Sequence, residues 1–167
     1  MIGIDTNILL RLWLNDDPAQ NKRIDALLAA HGGAPGSLLV TDVVLAEAVW
    51  TLRSAFDQNK AAQLIAVRSL LIETAFAFED RDAVNQAADM FEQGNCGFSD
   101  CLVVARHARH GCEFTATFDR GMRKLPGVKL LCPSRGASSG KTSARRASPC
   151  EPGQALAQET GHFRRQV

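Results

Sequence analysis

Four acidic residues stand at positions that a plain hydrophobic core would not choose. Asp5 directly follows the apolar run that begins the chain, and Asp119 stands just beyond the run EFTATF. In open parallel sheets the functional crevice lies at the carboxyl ends of the strands. Both carboxylates are therefore well placed for chemistry, although either one alone could simply cap the helix that follows it.

The other two acids lie on predicted helices among apolar neighbours. Glu47 shares a helix side with Val43 and Trp50, and Asp100 shares one with Val103. We therefore expect both carboxylates to project from apolar surfaces. A buried carboxylate without a partner is costly, so such positions persist when a metal ion or a basic side chain compensates. The arginines that could supply this compensation are Arg11, Arg53 and Arg106.

A bound metal ion would explain all four acids together. Clustered carboxylates repel one another, and Mg²⁺ or Mn²⁺ relieves that repulsion. Oxygen ligands without His or Cys suit these hard ions better than zinc. Such ions can activate a water and stabilise the leaving 3′-oxygen in phosphodiester hydrolysis. The pattern therefore predicts a metal-dependent phosphodiester hydrolase.

Short apolar runs alternate with longer amphipathic stretches, and these elements would position the acids. The predicted strands cover residues 1–4, 38–40, 76–78, 113–117 and 128–131. The predicted helices cover residues 7–14, 17–30, 43–56, 60–73, 80–91 and 99–110. Ser99 is expected to cap the last of these helices. The alternation predicts an α/β sandwich with a mainly parallel sheet.

The composition changes sharply after Cys132. Residues 1–132 hold 13 Lys and Arg against 16 Asp and Glu, whereas residues 133–167 hold 6 against 2 and are rich in Ser, Gly and Arg. We predict one domain at 1–132 and a disordered tail at 133–167. Because the domain is mildly acidic, it cannot bind nucleic acid through basic charge alone.

No feature of the sequence predicts a membrane or a secreted protein. No stretch approaches the roughly 20 apolar residues that span a bilayer, and the N-terminus lacks the basic start of a signal peptide. The five cysteines are odd in number and form no CxxC pair, which argues against a disulfide framework or a zinc ribbon. We expect a cytoplasmic protein with reduced thiols.

Four segments, in order, resemble the signature blocks of PIN-domain nucleases, and most closely those of the VapC-type toxins of toxin–antitoxin pairs. The segments are Asp5-Thr6-Asn7-Ile8-Leu9-Leu10, Leu45-Ala46-Glu47, Phe98-Ser99-Asp100-Cys101-Leu102-Val103 and Thr117-Phe118-Asp119-Arg120. The resemblance covers about residues 1–132. It implies a three-layer α/β/α sandwich and an endoribonuclease that depends on Mg²⁺ or Mn²⁺.

The resemblance also implies roles for individual residues. It implies a metal site at Asp5 and Asp100, with Glu47 and Asp119 completing the acidic cluster. The residues that it implies as hydrogen-bonding support are Thr6, Asn7 and Ser99. The candidates for contacts with substrate phosphates, from their nearness to the acids in sequence, are Arg11, Arg53 and Arg120.

The implied partners are an RNA substrate, a second copy of the chain in a homodimer, and a small antitoxin that inserts a segment into the active-site groove. One departure concerns the fourth block, where many relatives carry a further acidic or polar residue. Here Gly121 and Met122 follow Arg120, which leaves a second metal ion open.

Two other functions stay open at this point. A different acid-lined Mg²⁺ enzyme, such as a phosphatase or a 5′-nuclease-like DNA enzyme, would use similar residues. An inactive RNA-binding or protein-binding module is the other, although a pure binder gains nothing from carboxylates that repel one another. Trp13 and Trp50 are expected to be core or dimer contacts rather than base-stacking residues.

Overall fold

The computed structural model of the chain describes residues 1–131. Six α-helices, five short strands and one 3₁₀ helix make up this part of the chain. In chain order they are β1 (Ile2–Gly3), α1 (Thr6–Leu14), α2 (Pro18–His31), β2 (Leu38–Val40), α3 (Asp42–Ser54), α4 (Lys60–Ile72), β3 (Phe76–Phe78), α5 (Arg81–Gln93), α6 (Phe98–Arg109), β4 (Thr115–Thr117), the 3₁₀ helix (Arg120–Lys124) and β5 (Val128–Leu130). The predicted tail at 133–167 lies outside the described residues.

All strand pairs in this part of the chain are parallel. Strands β1, β2 and β3 lie side by side in that order, and β4 pairs with β5. Leu38 of β2 lies opposite Ile2 on one side and opposite Phe76 on the other. Between residues 1 and 131, no ladder joins the first three strands to the other two. Parallel strands joined by helices confirm the predicted α/β class.

Capping residues explain where several helices begin. The Asp17 carboxylate accepts hydrogen bonds from the backbone N–H groups of Ala19 and Gln20, and Pro18 occupies the first helical position of α2. Asp80 accepts from Ala83 N at 3.0 Å at the start of α5. These local signals are the reason that the helix starts could be read from the sequence.

The apolar core fixes how the site-bearing helices pack. Helix α3 packs against α1, α4 and α6, and α5 packs against α4 and α6. Leu45 and Val49 of α3 and Cys101 of α6 are almost completely buried. None of the described helices is long and apolar enough to cross a membrane. Helix α3, which carries the second predicted block, therefore packs against both α1 and α6, which carry the first and the third.

Candidate active site

Asp5 lies where β1 gives way to α1. Its Oδ1 accepts a hydrogen bond from Ile8 N at 3.0 Å, so it is the N-cap of α1 as the simpler interpretation held. The carboxylate is nevertheless exposed, and capping occupies only Oδ1. Asn7, the second residue of α1, is exposed beside it. A capping aspartate of this kind can still offer its second oxygen to a ligand.

Thr6 joins the first predicted block to the second. Its Oγ1 donates a hydrogen bond of 2.5 Å to Oε2 of Glu47, which is 41 positions away in the sequence. The bond ties the start of α1 to the middle of α3, two helices that pack together. It therefore fixes the Glu47 carboxylate beside the helix that Asp5 caps.

Glu47 shares its helix face with apolar side chains, as predicted, but the burial that this pattern implied was wrong. Glu47 is exposed, and the side chains that share its helix face, Val43 and Trp50, are 76% and 64% exposed. Helical periodicity shows which residues share a face but not whether another element covers that face. Asp100 is partly buried, and its neighbour Val103 is 45% exposed. Apolar side chains thus border both acids at the surface.

Asp100 closes the first turn of α6. Its Oδ2 accepts a hydrogen bond from Gly97 N at 3.1 Å. Gly97 is the N-cap residue, so the prediction that Ser99 caps this helix was wrong. The helix starts earlier because Phe98, buried at 2%, packs edge-on against Phe91 in the core. Ser99 lies next to Asp100 and is partly buried.

Asp119 is the N-cap of the 3₁₀ helix, which the sequence did not predict. It is exposed, and its Oδ1 accepts a hydrogen bond from Gly121 N at 2.7 Å. Thr117 Oγ1 accepts a hydrogen bond of 3.0 Å from Asp119 N. A Cβ added at Gly121 would lie 3.1 Å from Asp119 Oδ1, so glycine permits this close turn. The departure at position 121 therefore has a local structural reason.

Two cavities are lined by residues near Glu47, Asp100 and Asp119 in the sequence, although none of the four acids lines either cavity itself. A cavity of about 570 Å³ is lined by Trp50 of α3 and by Ser99 of α6, which places the Glu47 and Asp100 regions on one surface. A second cavity of about 330 Å³ is lined by Gly121 and by residues of the loop before α6. Cys96 lines both cavities. The loop before α6 therefore borders both the cavity lined by α3 and the cavity lined by Gly121.

The four acids do not form a complete metal site among residues 1–131. Within residues 1–131, no three His, Cys, Asp or Glu side chains come close enough together to hold a metal ion. The structure brings Thr6 and Glu47 into direct contact and packs α3 against α6, but it forms no closed four-carboxylate pocket within residues 1–131. Any metal ion bound here would depend on ligands from outside these four side chains as well.

The arginine alternative is wrong for the described part of the chain, where none of the four acids forms an ion pair. Arg11 bonds instead to Asp16 at 2.6 Å, which also occupies it as a phosphate candidate. Arg106 pairs with Asp42 at 2.7 Å. Arg53 is exposed and forms no ion pair within residues 1–131, and the same is true of Arg120 at the start of the 3₁₀ helix.

A second set of acids follows β2 and β3 and is paired with arginines. Arg106 contacts Asp42, Glu79 and Asp80, and Arg109 donates to Asp80 at 2.8 Å. Burial raises the pKa of Asp42 above its ordinary value despite the Arg106 charge. The hydrogen bond from Arg109 lowers the pKa of Asp80. We name Asp42, Glu79 and Asp80 the paired acids, and Asp5, Glu47, Asp100 and Asp119 the unpaired acids.

The family model of the PIN domain matches residues 2–128. The chain therefore belongs to the PIN-domain family, as the signature blocks predicted. PIN domains are generally nucleases that depend on divalent metal ions, and their substrates are nucleic acids. Among curated proteins, none matches this chain significantly.

The unpaired acids fit a hard divalent cation by the chemistry of their donor atoms. Mg²⁺ is usually held by one or two carboxylates, with water and substrate phosphates filling its other positions. It therefore needs no closed cage of three side chains. Carboxylates with no arginine partner among the described residues can supply such oxygens. The paired acids cannot do so without giving up their arginines.

Proposed function

We propose that this chain is an endoribonuclease that depends on Mg²⁺ or Mn²⁺ and acts as the toxin of a toxin–antitoxin pair. The observation that carries the proposal is the set of unpaired acids within a PIN domain. These four carboxylates stand in the blocks that resemble the PIN signature, and no arginine within residues 1–131 occupies them, so their oxygens can bind a cation. A nucleic-acid phosphate would then be attracted by the bound metal rather than by the acidic domain.

Each unpaired acid has a proposed role. Asp5 and Asp100 bind the metal ion, and Glu47 and Asp119 complete the acidic set. When bound, the ion supplies an activated water and charge stabilisation for the leaving 3′-oxygen. The Thr6 hydroxyl holds Glu47 in place, and the backbone of Gly97 holds Asp100. These fixed contacts reduce the reorganisation that metal binding would otherwise require.

Substrate phosphates have two candidate contacts. Arg53 and Arg120 are exposed, and neither is consumed by an ion pair within the described residues. Arg11 is the weaker candidate, because its guanidinium bonds to both Asp16 and Gln20. The proposed substrate is RNA.

The proposed partners are a second copy of the chain and an antitoxin that covers the active-site groove in the cytoplasm. Exposed apolar side chains near the acids support a protein contact, since Val43 is 76% and Phe118 is 78% exposed. Such a contact would shield these side chains from water. Growth arrest on expression, relieved by a short reading frame from immediately upstream, tests the toxin role. Unimpaired growth of cells containing active nuclease would contradict it.

The activity itself is tested with the purified full-length chain on single-stranded RNA and DNA of the same sequence. We expect RNA cleavage with Mg²⁺ or Mn²⁺ and none with EDTA. Cleavage of DNA in preference to RNA would favour the DNA-enzyme alternative. A covalent phospho-aspartate in mass spectra, formed with a phosphomonoester, would favour the phosphatase alternative. Cleavage that persists in EDTA would contradict the metal-dependent mechanism.

A further inference from the structure

The larger of the two cavities described above has the size of a ligand site, and its lining includes Ser99, the residue before Asp100. Its volume of about 570 Å³ lies within the range of small-molecule pockets. Trp50 and Arg53 line it from α3, Asn95 lines it from the loop before α6, and Ser99 lines it from the first turn of α6. None of the four unpaired acids lines this groove, but Ser99 at one end precedes Asp100 in the sequence.

Trp50 is the aromatic side chain that this groove exposes most. It is 64% exposed, whereas Trp13 is 6% exposed in the core. The prediction that both tryptophans are core or dimer contacts is thus confirmed for Trp13, and its core alternative is wrong for Trp50. An exposed indole offers a flat face on which a nucleobase can stack.

Arg53 is a cation of the groove that forms no ion pair within residues 1–131. It lies one helical turn after Trp50, so the two side chains share a face of α3. Lys60 also lines the groove, but its Nζ donates to the carbonyl oxygens of Glu92 and Gly94 and lies over the Phe91 ring. Lys60 is therefore committed to the end of α5, and Arg53 is available to a phosphate.

We propose that this groove binds one unpaired nucleotide of a single-stranded substrate, with its base stacked on Trp50 and a phosphate on Arg53. The proposal rests on the proposed function, because the nucleotide belongs to the strand that would be cut beside Asp100. The amide of Asn95 and the hydroxyl of Ser99 give the base edge polar partners. Apart from Trp50, the exposed side chains of this lining are polar or charged, which suits the base edge, sugar and phosphate of a nucleotide.

The test measures binding of a fluorescein-labelled single-stranded RNA octamer to the full-length Asp100→Asn protein in Mg²⁺. Trp50→Ala should weaken binding about 10-fold or more, and Trp50→Phe should keep most of the affinity. Arg53→Gln should weaken binding and lower the salt dependence by the equivalent of about one phosphate contact. The matched controls are Ile72→Ala, another exposed apolar residue, and Arg23→Gln, another exposed arginine, and neither should change the affinity.

Two further measurements tie the effect to stacking. Octamers with a single abasic position should bind more weakly when that position is the one in the groove, and this penalty should disappear in Trp50→Ala. Iodide should quench the fluorescence of the exposed Trp50 but not that of buried Trp13, and bound RNA should protect Trp50. Because Trp50 is exposed, its replacement should leave the thermal unfolding midpoint unchanged.

Unchanged affinity in Trp50→Ala would overturn the proposal. If Trp50→Ala sediments as a smaller species than the wild type but binds RNA equally well, Trp50 belongs to an interface between two copies. This outcome also overturns the proposal. If the wild type and Trp50→Ala cleave RNA equally well, the groove proposal fails while the proposed function stands. Binding that needs Trp50, by a chain that cleaves nothing, would support the groove while the proposed function fails.

Discussion

The paired and the unpaired acids are the same residue types in the same fold, and they differ in what lies opposite them. Asp42 and Asp80 follow β2 and β3 and face Arg106. Asp5 and Asp119 follow β1 and β4, and neither has a cation partner within residues 1–131. Helix α6 carries both situations, with Asp100 in its first turn and Arg106 farther along. The presence of an arginine, rather than the position of the acid, separates a structural ionic cluster from a candidate metal site.

This difference has an energetic meaning. A partly buried carboxylate with an arginine partner gains charge-assisted hydrogen bonds that offset part of its desolvation. The unpaired acids accept hydrogen bonds from backbone N–H groups or from Thr6, but no positive charge within residues 1–131 pairs with them. A replacement that keeps such a hydrogen bond should therefore cost function rather than stability, whereas the loss of Arg106 should cost stability and not chemistry.

The largest expected effect is the loss of cleavage in Asp100→Asn and in Asp5→Asn. Each should lower kcat/KM for RNA by more than about 100-fold, because losing a ligand costs more than losing an outer partner of a metal site. Asparagine retains the cap at position 5, so the unfolding midpoint without metal should stay the same or rise. Mg²⁺ should raise the midpoint of the wild type and raise that of the variants less.

The matched control for these variants is Asp25→Asn, an exposed acid of α2 outside both sets. It should keep both activity and the response to Mg²⁺. Full activity in Asp100→Asn would remove this residue from the site and break the comparison.

The next effect in size is on stability, in Arg106→Gln. This change removes the positive charge that contacts Asp42, Glu79 and Asp80. We expect it to lower the free energy of unfolding by about 1–3 kcal/mol. Urea denaturation at pH 7 measures it. Arg68→Gln, which breaks more exposed pairs with Asp89 and Glu92, is the control and should cost less than about 1 kcal/mol. Equal costs in the two variants would show that the Arg106 cluster is an ordinary surface network.

The sequence predicted the elements well because their signals are local. Apolar runs mark the strands, and capping residues such as Asp17 mark the helix starts. The positions of Asp5 and Asp119 after strands followed directly from those signals. The 3₁₀ helix was not predicted because a single turn closed by one Asp119 cap has no apolar periodicity that marks it in the sequence.

What the sequence could not provide was the outcome of packing between distant elements. Arg106 was a possible partner for a site acid, but its actual partner Asp42 precedes it by 64 positions. The same applies to Trp50, whose apolar neighbours in sequence predicted burial although no described element covers it. Side-chain type and helical spacing constrain which residues share a face, and only the tertiary structure decides what that face meets.

The smallest expected effect is a pH dependence of opposite sign in two neighbouring paired acids. Burial raises the folded-state pKa of Asp42 above its ordinary 3.8, so its charged form is disfavoured in the folded protein. The Asp42 carboxyl therefore stabilises the folded protein most below pH 3.8, where it is protonated. This stabilisation declines as the pH rises through the raised pKa. Asp42→Asn should match or exceed the wild type in stability at pH 7, and this advantage should vanish near pH 3.

Asp80 should behave in the opposite way, because the hydrogen bond from Arg109 holds its folded-state pKa below the ordinary 3.8. Its contribution is present above that value and is lost as the pH falls through the lowered pKa. Asp80→Asn keeps the helix cap, so its lower stability at pH 7 measures the contribution of the Asp80 charge alone. The difference from the wild type should disappear at low pH. Urea midpoints of both variants between pH 3 and pH 7 measure the two slopes. If the stability differences of the two variants change with pH in the same direction, the two arginines compensate both carboxylates to the same extent. The distinction between a buried and a well-paired acid within this cluster would then fail.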